Sequence, residues 1–236
     1  METDHIPARV LFDQRQWPEG YEFPACKPCN RISRHDEQVV AMLSRLYPEA
    51  DNADKKKEFS ERVRAVAHNN PGLLEEMRVS TDQAQDTLKK YNIQTPEGLA
   101  LSDLPFLSVK GPLVSSAVAN FGRKLFMALY YKHTNKILPR EGGIAIRWYS
   151  NLQVENGEIP GELAPLASGF PNLERSNMDL SEQFFYRFGV TDNLKAAVFL
   201  AFFRQSFSIL GYVNAKAVDI QLTENATILQ PYQHKT

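Results

Sequence analysis

The feature that most constrains this chain is a change of hydrophobic rhythm at the Gly142-Gly143 pair. Before it, Val114, Val118, Phe121, Leu125, Ala128 and Leu129 recur at intervals of three and four, the spacing of one apolar helix face. After it, Ile144, Ile146 and Trp148 alternate with Ala145, Arg147 and Tyr149, the period of a strand. The segments QFFYRFGV (183–190) and AAVFLAFFRQSFSILGYV (196–213) are dense in aromatic and β-branched residues and also read as strands. Turn residues from Thr191 to Lys195 predict an antiparallel hairpin, although Leu194 to Gln205 equally fits a buried helix. A chain that keeps the two periods in separate blocks is of the α+β class, helix-rich first and strand-rich afterwards.

The 236 residues suffice for a real core without disulfide staples, and 43% hydrophobic with 23% charged residues is an ordinary globular balance. The longest uninterrupted apolar run, Ala196 to Phe203, is far shorter than the ~20 residues of a membrane span. No basic stretch followed by an apolar core opens the chain, so the expectation is a soluble, cytoplasmic protein with no membrane partner. With 27 basic and 28 acidic residues the net charge is -1, so any affinity for nucleic acid has to be local.

From Met1 to Asn30 five interruptions, Pro7, Pro18, Gly20, Pro24 and Pro28, break long elements, leaving Arg9 to Phe12 as a short extended piece. Ser33 and Asp36 have the form of a capping box, and Val39, Val40, Leu43 and Leu46 then predict a helix over 36–47. A charged helical stretch with Phe59, Val63 and Val66 as its buried stripe lies between Pro48 and Pro71, with a hinge near 48–54. The expected organisation is a small unit over 1–50 and an α+β domain over 51–236. Within the latter, helical pieces at 71–78 and 80–91 and a loop at TPEG (95–98) precede the long helix at 114–135.

Both cysteines, Cys26 and Cys29, lie in one C-x-x-C pair, a spacing that points to metal or redox chemistry rather than to a disulfide framework. Together with TDHIPARVLF (3–12), the segment PACKPCNRISRHDE (24–37) resembles the HNH endonuclease family, whose core is a ββα-metal finger. The resemblance covers residues 3–37. It implies Asp4 as a metal ligand, His5 as general base and Asn30 as the second metal ligand, with DNA as substrate. A neutral imidazole is well poised to take a proton from an attacking water, and a hard Mg²⁺ or Mn²⁺ ion stabilises the charge that builds on phosphate oxygens. The resemblance further implies structural Zn²⁺ at Cys26 and Cys29. Such a site needs four ligands, and with three residues ahead of Asp4 only half of it is present.

The Asn that the family places near position 21 or 22 is replaced by Tyr21 and Glu22. Asp4 and His5 are adjacent, so on a regular strand they point to opposite faces and a bend must re-aim one of them. Arg31, Arg34 and His35 are within reach of a bound phosphate. A second basic feature runs from Leu104 to Arg140, with six basic residues and no acidic one; Lys124, Lys132 and Lys136 on one helical stripe suit a phosphate backbone. Two alternatives accompany the nuclease reading. One is a non-catalytic nucleic-acid-binding or interaction protein that retains a degenerate finger. The other is a thioredoxin-type redox pair at CKPC, which lacks a preceding apolar strand and makes no use of His5 or Asn30.

Overall fold

In the computed structural model, residues 1–46, 53–94, 106–159, 170–221 and 227–232 are described. The chain opens with strand β1 (Glu2–His5) paired antiparallel with β2 (Glu22–Ala25), and His5 lies across from Glu22 in that register. Between them, residues 9–11 and 13–15 make 3-10 turns, so the expected extended piece at 9–12 is not a strand. With Pro7 beside it and no pairing partner, that segment packs instead through Leu11 and Phe12, both buried.

Helix begins earlier than expected, at α1 (Lys27–Ile32), and continues after Ser33 as α2 (Arg34–Leu43). Ser33 is itself in the right-handed helical region, φ -73 and ψ -14, and makes no capping bond to Asp36. An N-cap residue is non-helical, so a helical Ser33 does not close the anticipated capping box; its hydroxyl proton is instead within reach of Glu37 at 2.8 Å and the Asn30 carbonyl at 3.2 Å. The ββα order of a finger is thus present at the amino-terminal end.

Helices α3 (Ala53–Asn69), α4 (Leu73–Glu76) and α5 (Thr81–Lys90) follow, α5 opened by a reciprocal Ser80–Gln83 capping box. Val66 is buried and Phe59 and Val63 pack against the core, as their spacing predicts. The long α6 (Pro112–Thr134) starts on a proline in its first turn and stops where Asn135 turns left-handed at φ 54. Its first free amides, Leu113 N–H and Val114 N–H, each donate to the Glu76 carboxylate at 2.9 Å.

Strand β3 (Gly143–Ser150), the short helix α7 (Asn151–Glu155), the small hairpin β4 (Glu174–Arg175) and β5 (Met178–Asp179), then β6 (Phe184–Val190), β7 (Ala196–Phe203), β8 (Phe207–Asn214) and β9 (Thr227–Leu229) complete the described chain. The five-stranded antiparallel sheet has the order β6-β7-β8-β3-β9. Within the ambiguous stretch 194–205, residues 196–203 are strand, not helix: every second residue, Ala197, Phe199, Ala201 and Phe203, enters the core, and period two is what a sheet face needs.

Helix α6 lies on that inner face. The Phe126 ring sits over Gly211, where an added Cβ would fall 2.3 Å from the ring. Apolar side chains such as Val118, Leu125, Phe126 and Leu129 are sealed between helix and sheet, and full burial of each contributes about 1.5–3 kcal/mol. One cluster of buried residues runs from Ile6 to Val213, so the core is continuous across residue 50. Phe12 meets Phe184 edge-on at 6.4 Å, and Arg204 and Arg45 both reach Asp13. Residues 47–52, which include most of the expected hinge, and the loop at 95–98 lie outside the described residues. No helix among the described residues is long and apolar enough to cross a membrane.

Candidate functional site: the hairpin, the first helix and Lys124

Strand alternation places Glu2 and Asp4 on one face of β1 and His5 on the other. The Glu2 and Asp4 face turns toward the helices. The Asn30 side-chain amide donates to Glu2 Oε2 at 3.4 Å, so Asp4 and Asn30 belong to the same side of the hairpin. Asp4 is buried at 5% exposure, and its Oδ2 lies 2.6 Å from Lys124 Nζ in an ion pair that is not aligned as a hydrogen bond.

The same ammonium donates to Glu37 Oε1 at 2.5 Å and to the Ser33 hydroxyl at 2.8 Å, while Ser33 donates to Glu37. Asp4, Ser33, Glu37 and Lys124 thus form one mostly buried polar knot between β1, α2 and α6. Two carboxylates share one ammonium, which balances one charge and leaves the other to its surroundings. The ammonium occupies the approach to Asp4 Oδ2. Among the described residues no group of three or more His, Cys, Asp and Glu side chains is arranged to hold a metal.

His5 is on the far face, edge-on to Trp17 at 4.2 Å between ring centres. Trp17 donates its indole N–H to Glu22 at 2.7 Å and lies under the Arg175 guanidinium at 3.7 Å, with Arg9 at 5.0 Å. Burial, with help from the Arg9 charge, lowers the His5 pKa below its ordinary value, so the imidazole is neutral at pH 7. It has the protonation state of a base. No bulge interrupts the β1–β2 register to swing it toward Asp4, so the expected convergence of Asp4, His5 and Asn30 on a single cation is not made.

Cys26 and Cys29 are joined to each other, with Cα atoms 5.3 Å apart. Sulfurs bonded in a disulfide are not thiolates, so the expected zinc ligation by this pair is not the state of this structure. Cys26 caps α1, its sulfur accepting from the Cys29 N–H at 3.2 Å.

The expected phosphate-binding groups divide. Arg31, Arg34 and His35 are exposed on α1 and α2, and His35 Nδ1 lies 3.0 Å from the Asn69 carbonyl oxygen. Lys27, Arg31 and Arg34 are spaced by four and three along a nearly continuous helix and make one solvent-facing cationic edge. The α6 stripe does not form as a set. Lys124 is turned inward, Lys132 donates to the Gly20 carbonyl at 2.9 Å and lies over the Tyr21 ring, and Lys136 reaches the Asn193 carbonyl at 3.5 Å.

The residues that sequence reading passed over are Ser33 and Glu37 as partners of Lys124, and Trp17 as the partner of His5. The i, i+4 spacing of Ser33 and Glu37 was a readable signal that they share a helix face; their meeting with a lysine some ninety positions on was not. A separate buried chain links hairpin and sheet: the Tyr186 hydroxyl lies 2.8 Å from both the Tyr21 hydroxyl and His133 Nε2. Burial pushes Tyr21 up to about 12 and lowers His133 to about 4, the latter aided by the Lys132 charge. Comparison with protein-family models, curated proteins and solved structures finds no match to this chain.

Proposed function

We propose that this chain is a nucleic-acid-binding protein built on an HNH-like ββα finger that does not cleave the strand it holds. The observation that carries the reading is the Lys124 ammonium, seated 2.6 Å from Asp4 and bonded to Glu37 inside the finger. A covalently attached cation neutralises the carboxylate that a catalytic Mg²⁺ would use, and it carries no water to activate. Asn30 bonds to Glu2 and His5 to neither, so water activation has no assembled apparatus. Lys27, Arg31 and Arg34 remain on the solvent side of the finger helix, where one ammonium and two guanidinium groups engage phosphate oxygens of DNA.

A second reading, metal-dependent hydrolysis of DNA with Mg²⁺ or Mn²⁺ on Asp4 and Asn30 and His5 as base, is favoured by one observation. The strand-strand-helix order carries Asp-His on the first strand and Asn30 directly after the C-x-x-C turn, the order of the family. One pair of measurements separates the two. Plasmid incubated with Mg²⁺ or Mn²⁺ stays supercoiled on the binding reading, and binding to a short duplex weakens as salt rises. An R31A/R34A variant, short of two phosphate contacts, lowers the slope of log affinity against log salt by about 1.8, at roughly 0.9 per contact. Metal-dependent nicking that disappears in H5A, or a salt slope unchanged in R31A/R34A, refutes the binding reading.

A further inference from the structure

We propose that Cys26 and Cys29 form a reversible two-electron redox site that exchanges with a dithiol partner. Both residues are exposed, and none of the residues of α1, the helix they open, is buried. A disulfide between positions only three apart constrains the unfolded chain less than one that closes a long loop. Here it ties no two parts of the core together. Bonded to each other, neither sulfur is the thiolate that a metal takes as ligand. What remains for two accessible, mutually bonded sulfurs is exchange.

The chemistry balances within the pair and its partner. A partner thiolate attacks Cys29 Sγ; the Cys26–Cys29 bond breaks and its electron pair goes to Cys26 Sγ, which already accepts the Cys29 N–H at 3.2 Å and then takes a proton from water. The partner's second thiolate attacks its own sulfur in the mixed disulfide and expels Cys29, which is protonated in turn. The partner departs as its disulfide, having passed two electrons to the chain, and the reverse sequence restores the starting state. Exposed Lys27, Arg31 and Arg34 draw an anionic thiolate to this end of the helix. This inference does not depend on nucleic-acid binding.

The test uses the full chain in native buffer, with dithiothreitol and then oxidised glutathione as probes, free thiols counted by a chromogenic reagent and folding followed by circular dichroism. The expected result is no reactive thiol at the start and, after dithiothreitol, thiols from both cysteines with an unchanged spectrum. Oxidised glutathione then returns the count to none. C29S, with Cys26 alone, takes up one glutathione that dithiothreitol releases. Four results overturn the proposal: thiols that emerge only in denaturant, a spectrum that collapses on reduction, a reduced chain that excess oxidised glutathione leaves unchanged, or bound zinc that masks the thiols until a chelator removes it.

Discussion

Replacing Lys124 with methionine removes the one ammonium shared by Asp4 and Glu37 while nearly conserving side-chain volume. Two carboxylates are then left facing each other with side-chain exposures of only 7% and 11%. Deleting one partner of a buried ion pair costs roughly 3–5 kcal/mol, because the remaining charge keeps its desolvation penalty without its counter-ion. Lys124 retains 19% of its exposure, so water screens part of the effect and the expected loss is about 2–4 kcal/mol. For a chain of this length a loss of about 3 kcal/mol lowers the melting temperature by roughly 6–12 °C.

Urea unfolding followed through the fluorescence of Trp17 and Trp148 reads the difference directly. Neutralising the stranded acids, in a K124M/D4N/E37Q variant, is expected to recover at least half of the lost stability, since the penalty belongs to unpaired charge rather than to the missing amine. K124M within about 0.5 kcal/mol of the parent, the scatter of ordinary surface substitutions, refutes the buried knot. A triple variant no more stable than K124M refutes its electrostatic origin.

His133 supplies a pH signature. Its folded pKa of about 4 lies below the ordinary 6.5, so the unfolded chain binds the extra proton first. The stability that the neutral imidazole contributes is whole above pH 6.5 and is lost as pH falls to about 4. The loss is about 2 kcal/mol once partial exposure is allowed for. H133Q, which keeps a polar group beside Tyr186, is expected to flatten this slope in denaturation midpoints measured between pH 4 and 7.5; parallel slopes refute the assignment. G211A drives a Cβ into the Phe126 ring and is expected to cost more than about 2 kcal/mol, with partial recovery in G211A/F126L. Equal melting temperatures for G211A and the parent refute the close packing of α6 on β8.

Much of the architecture was legible because burial imposes a period. The three-and-four spacing from Val114 to Leu129 is α6, and the alternation from Ile144 to Trp148 is β3. The hairpin turn at Thr191 to Lys195 also forms, with Thr191 and Asn193 side chains bonding the turn backbone. The stretch 194–205 stayed ambiguous because a short run that is apolar on both faces hides its period, and pairing with β6 and β8 decides it. The start of α1 was missed because Cys26, Pro28 and the lack of an apolar stripe give no periodic signal, whereas a proline in the first turn is compatible with helix.

The candidate site divides along the same line. Local sequence fixed that Asp4 and His5 fall on opposite faces of a strand and that Asn30 follows a C-x-x-C turn, since both depend on neighbours along the chain. Only the tertiary structure decided that Lys124, some ninety positions beyond Ser33, enters between Asp4 and Glu37, and that Trp17 takes the His5 ring. A lysine on an amphipathic helix reads as solvent-facing until the helix has a neighbour. Whether its charge meets water, phosphate or a buried carboxylate depends on how the helix rolls against that neighbour, and that angle is set by the packing of Phe126 over Gly211 and of α2 against α6, which no local pattern encodes.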